Sequence, residues 1–447
     1  VDLKGKIERR EARICVIGLG YVGLPLAVEL ARLGFTVTGL DVDQERVSAI
    51  LRGESYIQDV SGDDVAKVLQ EGKFSATADG AVLAEVDVIF ICVPTPFTKT
   101  KTPDLSYVVA ASEEIARHLR PGQLIILQST TYPGTTEEDV LPILETSGLK
   151  AGRDFHLAFS PERVNPGDSK YTVTNTPKVV GGVSPRCAEL AQLVLSQLMP
   201  GVHIVSSPRA AEMTKLLENI FRSVNIALIN ELAKLSERMN IDIWEVVEAA
   251  STKPFGFMPF HPGPGVGGHC VPVDPYYLFW KSREYDFYPR FIELAAELNQ
   301  GMPYHVVTKI AEALNSRGKT LQDSKVLVLG VSFKPDVDDA RNSPAQRVIE
   351  LLLSSGARLT YNDPRIAHFT VGKDVFYPEQ QTLDSTPLTE ELLQSQDCVA
   401  VVAGHSSYDY DWIVAHAPLV VDTMNSTKGV KAGREKIFRL GAPSPRR

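Results

Sequence analysis

Short β-branched and aliphatic runs recur through the first 200 residues with helix-like stretches between them, the alternation that a parallel sheet with crossover helices produces. Residues 13–17, 35–40, 86–93, 124–128, 156–159 and 178–180 are the predicted strands, each ending near Gly, Pro, Ser or Asp. Open α/β sheets bind ligands at the carboxyl ends of their strands, so the loops there are expected to carry function. The texture changes at Ser206-Ser207-Pro208, a serine cap followed by proline in the first turn. From Arg209 to Asn240 there is neither Gly nor Pro, and Met213, Leu217, Ile220, Val224, Leu228, Leu232, Leu235 and Met239 recur at helical spacing. A rod of about 48 Å at 1.5 Å per residue is predicted, of the kind that bridges domains or subunits. A Gly/Pro-rich loop follows from Lys253 to Pro275, then a second helical stretch over 290–314, interrupted at Gly301-Met302-Pro303, where a kink is expected. Residues 325–330 open another strand, and 359–361, 397–402 and 419–421 continue a second α/β unit. The predicted domains are 1–207, 208–320 and 321–447, and the tail from Gly441 to Arg447 is expected to be mobile.

Composition narrows the class. The chain has 447 residues, 44% hydrophobic and 23% charged, with a formal net charge of −9, which is ordinary globular composition. No Lys/Arg block stands out, so no footprint for nucleic acid or an anionic membrane is expected, and small molecules are the better partners. The longest apolar runs fall far short of the roughly 20 residues that cross a bilayer. Lys4, Lys6, Glu8, Arg9, Arg10 and Glu11 precede the first apolar run, unlike a secretory signal. The 5 cysteines are odd in number and lack C-x-x-C pairs, which suits a reducing cytoplasm.

Gly18-Leu19-Gly20-Tyr21-Val22-Gly23 follows the first strand and opens a helix. In that context the first glycine permits the tight turn, the second admits a pyrophosphate to the backbone, and the third lets helix pack on strand. The helix N-terminus supplies an anion site. Asp41 closes the second strand near the usual distance of about 20 residues, where a carboxylate accepts ribose hydroxyls and repels the extra phosphate of NADP. NAD is the expected cofactor. The second α/β unit offers only Gly330 before Val331-Ser332-Phe333-Lys334-Pro335, so it lacks a dinucleotide fingerprint. Lys334 and Arg341 flank Asp336, Asp338 and Asp339 ahead of a helix start at Ser343-Pro344. Two cations there suit a diphosphate, or else form a solvated loop of local ion pairs.

Cys15, Cys92 and Cys398 lie in apolar strands and Cys187 begins a helix, so these four read as small core residues. Cys270 differs, because Gly263, Gly265, Gly267 and Gly268 lead up to it and allow close approach by a ligand. A nucleophilic thiol there needs a nearby cation or helix N-terminus. His269 has no second His, Cys or carboxylate at metal-ligand spacing, so no metal is expected. On the long helix Lys215 and Asn219 are one turn apart and share a face. Both face water, or both aim at a reacting oxygen as an oxyanion site.

With these motifs the sequence resembles the nucleotide-sugar 6-dehydrogenases, which oxidise UDP-sugars to UDP-uronic acids. The likeness spans nearly the whole chain. It is carried by the glycine fingerprint, Val93-Pro94-Thr95-Pro96, Ser129-Thr130-Thr131-Tyr132-Pro133-Gly134, Phe159-Ser160-Pro161-Glu162-Arg163, Lys215 to Asn219, Gly267 to Asp274, and Phe333-Lys334 with Arg341. The resemblance implies an N-terminal Rossmann NAD domain, a central helical domain on the long helix, and a C-terminal Rossmann-like UDP-binding domain, assembled as a homodimer or higher homo-oligomer. It makes Cys270 the thiol that captures a C6 aldehyde, with a thioester then hydrolysed by water and two NAD consumed per sugar. It gives Lys215 and Asn219 the oxyanions, Asp274 and Thr130 the orientation of water and proton transfer, and Glu162 an acid/base role. Gly18, Gly20, Tyr21, Val22, Gly23, Asp41, Arg46, Thr95, Thr130 and Arg341 are implied to contact the cofactor. Glu162, Arg163, Lys215, Asn219, Gly267, Gly268, Phe333 and Lys334 are implied to contact the UDP-sugar.

Departures from the glucose-type pattern bear on the sugar. Glucose-type members read P-E-F-L-x-E-G, whereas this chain reads Pro161-Glu162-Arg163-Val164-Asn165-Pro166-Gly167 and lacks the second glutamate. Upstream of the cysteine loop only Lys253 is a permanent cation, where glucose-type enzymes use an arginine from a neighbouring subunit. The segments around Ser129 and Lys253-Pro254-Phe255-Gly256-Phe257 resemble the UDP-N-acetylglucosamine 6-dehydrogenases most, so UDP-N-acetylglucosamine is the expected substrate. UDP-glucose and UDP-N-acetylmannosamine are the alternatives. A two-electron hydroxyacid dehydrogenase would share the fingerprint but need neither Cys270 nor a third domain, and a non-catalytic NAD-binding scaffold could dispense with Lys215, Asn219, Cys270 and Asp274. The implied product is a UDP-N-acetylglucosaminuronate for surface polysaccharide.

Overall fold

The computed structural model describes residues 2–57, 59–98, 101–163, 171–199, 201–268 and 271–445. Its contacts gather the chain into two compact units, Val1–Glu218 with Tyr276–Phe287, and Asn219–Pro275 with Tyr288–Arg447.

The first unit is built on eight strands: β1 (Arg13–Ile17), β2 (Thr36–Leu40), β3 (Phe74–Thr77), β4 (Val88–Ile91), β5 (Leu124–Leu127), β6 (His156–Phe159), β7 (Lys178–Gly182) and β8 (Val202–Ile204). They lie in the order β3-β2-β1-β4-β5-β6-β7-β8, and the first six strands reproduce the doubly wound dinucleotide-binding order. All neighbours are parallel except β6 with β7. Every residue of β4 and β5 is buried, as expected of central strands covered by helices on both faces. The apolar cores on the two sides are separate, one holding Leu24, Leu30 and Phe35, the other Ile115, Leu144 and Phe155.

The second unit holds β9 (Lys325–Leu329), β10 (Arg358–Asn362), β11 (His368–Val371), β12 (Gln381–Asp384), β13 (Cys398–Val401), β14 (Val420–Asp422) and β15 (Ile437–Arg439). Five of them form a parallel sheet in the order β10-β9-β13-β14-β15, and β11 pairs with β12 as a separate antiparallel hairpin. The C-terminal ends of β9 and β13 therefore meet where the strand order reverses, the usual ligand position in such sheets.

The long helix runs over Pro208–Met239, 32 residues, and the Ser207 hydroxyl caps it by accepting the Ala210 N–H. Met213, Leu217, Leu228, Leu232, Leu235 and Met239 along it are exposed. The interruption expected at Gly301-Met302-Pro303 is absent: one helix spans Arg290–Asn315 with Pro303 inside it. Proline costs about 3 kcal/mol in a helix interior, and the buried face of Asn299, Met302, Val306, Val307 and Ile310 outweighs it.

Candidate active site

The glycine loop after β1 is shaped by contacts that only glycine tolerates. Gly18 has φ +89°, and a side chain there would come within 2.7 Å of the Cys92 carbonyl oxygen. At Gly23 an added carbon would lie 1.8 Å from the Gly18 oxygen, whereas at Gly20 it would meet nothing within 4 Å. In dinucleotide-binding glycine loops the second glycine is the position through which a pyrophosphate approaches the backbone. The helix Gly23–Arg32 starts at Val22 with no side-chain cap, and a helix N-terminus is the end that favours an anion. Beside Val22, Tyr21 is exposed. Asp41, buried after β2, accepts the Leu19 N–H at 2.7 Å and the Asp43 N–H at 3.0 Å. Arg46 lies 3.7 Å from the same carboxylate. Tyr56 donates to the Leu19 carbonyl at 2.7 Å, so the loop is tied from two sides. These groups fit a dinucleotide with free ribose hydroxyls.

A second set gathers beyond β4 to β7 in the same unit. The Thr95 carbonyl accepts from the Tyr277 hydroxyl at 2.6 Å. Half-buried Thr130 sits between Ser129, which donates to the Val93 carbonyl at 2.8 Å, and buried Thr131. This loop is held further on by Glu212 of the long helix, which accepts the Gly134 N–H at 2.6 Å, the Thr136 N–H at 2.9 Å and the Thr136 hydroxyl at 2.6 Å. Burial pushes the Glu212 carboxyl up despite those donors. Glu162 is 2.8 Å from the ammonium of fully buried Lys178 and accepts the Arg163 N–H at 2.8 Å. Arg163 pairs with Glu218 at 2.6 Å and donates to the Pro177 carbonyl. Lys215 is buried and has no hydrogen-bond or ion-pair partner among the described residues.

In the second unit, the Asn219 amide donates to the Asp274 carboxylate at 2.5 Å, and both are buried. Asp274 opens the helix Asp274–Ser282. Gly267 and Gly268 press on Phe333, with room for no side chain at 267: an added carbon would be 2.9 Å from the Asn342 carbonyl oxygen and from Phe333. Asn342 donates to the Gly268 carbonyl at 3.1 Å. Cys270 and His269 themselves lie outside the described residues, as do Val164, Asn165, Pro166 and Gly167. The Lys334 ammonium is 5.6 Å from the Phe333 ring centre. Arg341 makes a two-pronged pair with Asp339 at 2.9 and 2.8 Å, so a phosphate would have to share or displace that carboxylate.

The sequence reading missed Glu212, Lys178, Tyr56 and Tyr277. A signal for Glu212 was present, since Glu212, Lys215 and Asn219 stand at i, i+3 and i+7 on one helix face. The other three are brought in by long-range packing, which spacing does not reveal. Among the described residues no group of three or more His, Cys, Asp or Glu side chains could hold a metal ion.

Comparison with known proteins decides the family. Three domain models match in succession: the NAD binding domain of the UDP-glucose/GDP-mannose dehydrogenase family over residues 12–199, its central domain over 209–301 and its UDP binding domain over 327–429. The chain belongs to the UDP-glucose/GDP-mannose dehydrogenase family. A UDP-N-acetyl-D-glucosamine 6-dehydrogenase of Pseudomonas aeruginosa is 40% identical over 407 residues, covering 89% of this chain and 92% of the relative. One from Salmonella typhi is 36% identical, covering 89% and 91%. The solved structure of the UDP-D-ManNAc dehydrogenase of Pyrococcus horikoshii superposes with a TM-score of 0.86 at 32% identity, covering 96% of this chain and 99% of that one. As a UDP-sugar dehydrogenase the chain is an oxidoreductase with an N-terminal Rossmann domain, a central helical region and a C-terminal UDP-binding domain, and its cofactor is NAD. No helix among the described residues of this dehydrogenase is long and apolar enough to cross a membrane.

Proposed function

We propose that this dehydrogenase oxidises the C6 alcohol of a UDP-N-acetylhexosamine, UDP-N-acetylglucosamine in the first place, to the carboxylate of the UDP-uronic acid. The reading rests on the buried Asn219–Asp274 hydrogen bond on a helix whose neighbouring turn holds a buried lysine, Lys215, without a hydrogen-bond or ion-pair partner among the described residues. A simple alcohol oxidation needs one proton acceptor. A polar set of amide, carboxylate and ammonium suits a reaction in which oxyanions form repeatedly and water must be oriented.

NAD, when bound, supplies the electron acceptor for both oxidations, two per sugar. Gly18, Gly20, Tyr21, Val22 and Gly23 would hold its pyrophosphate and Asp41 with Arg46 its adenine ribose, with Thr95, Thr130 and Arg341 completing the contacts. Phe333, Lys334, Arg163, Gly267 and Gly268 hold the UDP-sugar. After the first oxidation the Cys270 sulfur bonds to C6 of the aldehyde as the C=O π bond opens, and the thiol proton passes to the aldehyde oxygen. The resulting thiohemiacetal is oxidised to a thioester, losing its C6 hydrogen and hydroxyl proton. Water then breaks the C–S bond, returning the proton to sulfur and leaving the carboxylic acid, which ionises. Lys215 and Asn219 stabilise the oxygen at C6 in each step. Asp274 and Thr130 orient the water, and Glu162 moves the proton during thioester formation or hydrolysis. The product is a UDP-N-acetylglucosaminuronate available for surface polysaccharide.

The first test is a panel of UDP-N-acetylglucosamine, UDP-N-acetylgalactosamine, UDP-N-acetylmannosamine and UDP-glucose followed by NADH absorbance. Preference for UDP-N-acetylglucosamine is expected, and preference for UDP-glucose overturns the substrate assignment. Likeness to the mannosamine-type structure supports UDP-N-acetylmannosamine as the second reading. The exposed apolar stripe on the long helix supports a homodimer or larger assembly, and sedimentation as a monomer at micromolar concentration contradicts it. A cytoplasmic setting supplies the NAD and UDP-sugar this reaction needs, and fractionation of the source cells checks it.

A further inference from the structure

The loop from Val331 to Asp336 is latched by a buried network that the glycine loop of the first unit has only in part. Gly330 has φ +79°, and a side chain there would strike the Ala403 carbonyl oxygen at 2.1 Å. Directly after it the Val331 and Ser332 N–H groups donate to Asp363 Oδ2 at 2.7 and 3.2 Å, as Leu19 donates to Asp41 in the other sheet. Asp363 Oδ1 takes the Arg365 and Ile366 N–H groups. Burial alone would raise the Asp363 carboxyl, but His405 and these backbone donors pull it below the ordinary carboxylate range.

The second unit adds His405, fully buried in the loop after β13. The Asp336 N–H donates to His405 Nδ1 at 3.0 Å. A nitrogen that accepts carries no proton, so the ring is the Nε2–H tautomer, and Nε2 donates toward Asp363 Oδ2 at 3.1 Å with Ser332 Oγ 3.2 Å away. Ser332 Oγ in turn donates to the Lys334 carbonyl at 2.8 Å. Asp336 itself sits at φ +63° and its carboxylate accepts the Ser406 N–H at 2.9 Å. Both ends of the Phe333-Lys334-Pro335 segment are thus tied to one imidazole: Asp363, which holds the Val331 and Ser332 N–H groups, shares the Nε2–H with Ser332 Oγ on one side, and the Asp336 N–H meets Nδ1 on the other.

We propose that His405 is a positioning residue for the nucleotide sugar: as a neutral imidazole strap it fixes the loop that presents Phe333 and Lys334 to the UDP moiety. The proposal rests on the reading of Phe333 and Lys334 as UDP-sugar contacts. A hydrophobic replacement of similar size keeps the packing but strands the Asp336 N–H and one Asp363 lone pair. Asparagine keeps an acceptor near the Nδ1 position.

The experiment is calorimetric titration of the full chain with UDP alone and, separately, with NAD, for wild type, His405→Leu, His405→Asn and Ser332→Ala, alongside steady-state kinetics. His405→Leu is expected to weaken UDP about tenfold, the effect of one lost charge-linked hydrogen bond, with NAD affinity unchanged. In kinetics the UDP-sugar KM rises while kcat at saturation is kept. His405→Asn is expected to recover UDP affinity to within about threefold of wild type, and Ser332→Ala to weaken it about threefold. A His405→Leu chain that binds NAD normally and UDP as wild type does overturns the proposal, as does equal weakening by Leu and Asn, which is the mark of packing alone. Should His405→Leu fail to fold, Ser332→Ala decides: unchanged UDP affinity overturns the proposal. A wild-type chain that binds NAD but ignores UDP sinks the nucleotide reading beneath it.

Discussion

The Asn219 amide and the Asp274 carboxylate are joined by a 2.5 Å hydrogen bond in a buried setting. Held this way, the carboxylate fixes which face of the amide is presented, and the amide's second N–H has no partner among the described residues. Asn219→Ala is expected to lower kcat by about 10²–10³-fold, the usual effect of losing an oxyanion donor. Asp274→Asn is expected to do the same while leaving NAD affinity unchanged. Steady-state NADH formation with a full UDP-sugar titration checks this, and a change confined to KM contradicts it.

The glycine loop separates binding from folding at two neighbouring positions. Gly20→Ala adds a carbon that meets nothing within 4 Å, so its melting temperature should match wild type while NAD binding falls by about tenfold or more, since the added methyl intrudes where the pyrophosphate approaches. Gly23→Ala puts the same carbon 1.8 Å from the Gly18 oxygen and is expected to destabilise the fold by about 1–3 kcal/mol. Calorimetric melting and NAD titration distinguish the two.

Four of the cysteines are shielded. Burial pushes the Cys15 and Cys398 thiols up to about 12 and the Cys92 thiol higher still, while Cys187 is buried as well. Thiolates are the reacting form, so native enzyme treated with iodoacetamide near neutral pH should take up a single label rapidly, at Cys270, and lose activity in step. Cys270→Ser should take up none. Rapid labelling of that variant contradicts the assignment of the reactive thiol.

Acid should weaken the first unit through Asp87. Burial would raise this carboxyl, but the ammonium of Lys6, the Arg13 N–H and the Arg120 guanidinium bring it below its ordinary value. A depressed folded-state value stabilises fully above the unfolded value near 3.9 and is lost as pH falls through the folded one. Both cations are partly exposed, so solvent screening keeps the effect to about 1 kcal/mol or less. Asp87→Asn should therefore melt lower than wild type at neutral pH, and the gap should close below about pH 4. A gap independent of pH contradicts the electrostatic account.

Much of the fold was legible because its central strands are long runs of apolar residues with clear breakers. β1, β2, β4, β5, β6, β7, β9, β10, β13 and β14 all overlap predicted segments, and the long helix begins at the proline that announced it. The strands β3, β8, β11, β12 and β15 were not predicted: each is only three or four residues long and includes polar residues, and only a neighbouring strand makes them strands. The helix through Pro303 was misread as interrupted because local propensity counts against it and only its buried face sustains it. At the site, the glycine fingerprint with Asp41 was readable from spacing. The Asn219–Asp274 bond, the Glu212 clasp on Gly134 and Thr136, and the His405 strap join residues far apart in sequence, and no local pattern encodes them.

The proposed reaction takes one sugar through two successive oxidations at C6 without release between them. The most direct measurement is the amount of NADH formed per UDP-N-acetylglucosamine when a limiting quantity of the sugar is driven to completion with excess NAD. Two NADH per sugar, with a carboxylate product and no free aldehyde, is the predicted result. One NADH per sugar contradicts it.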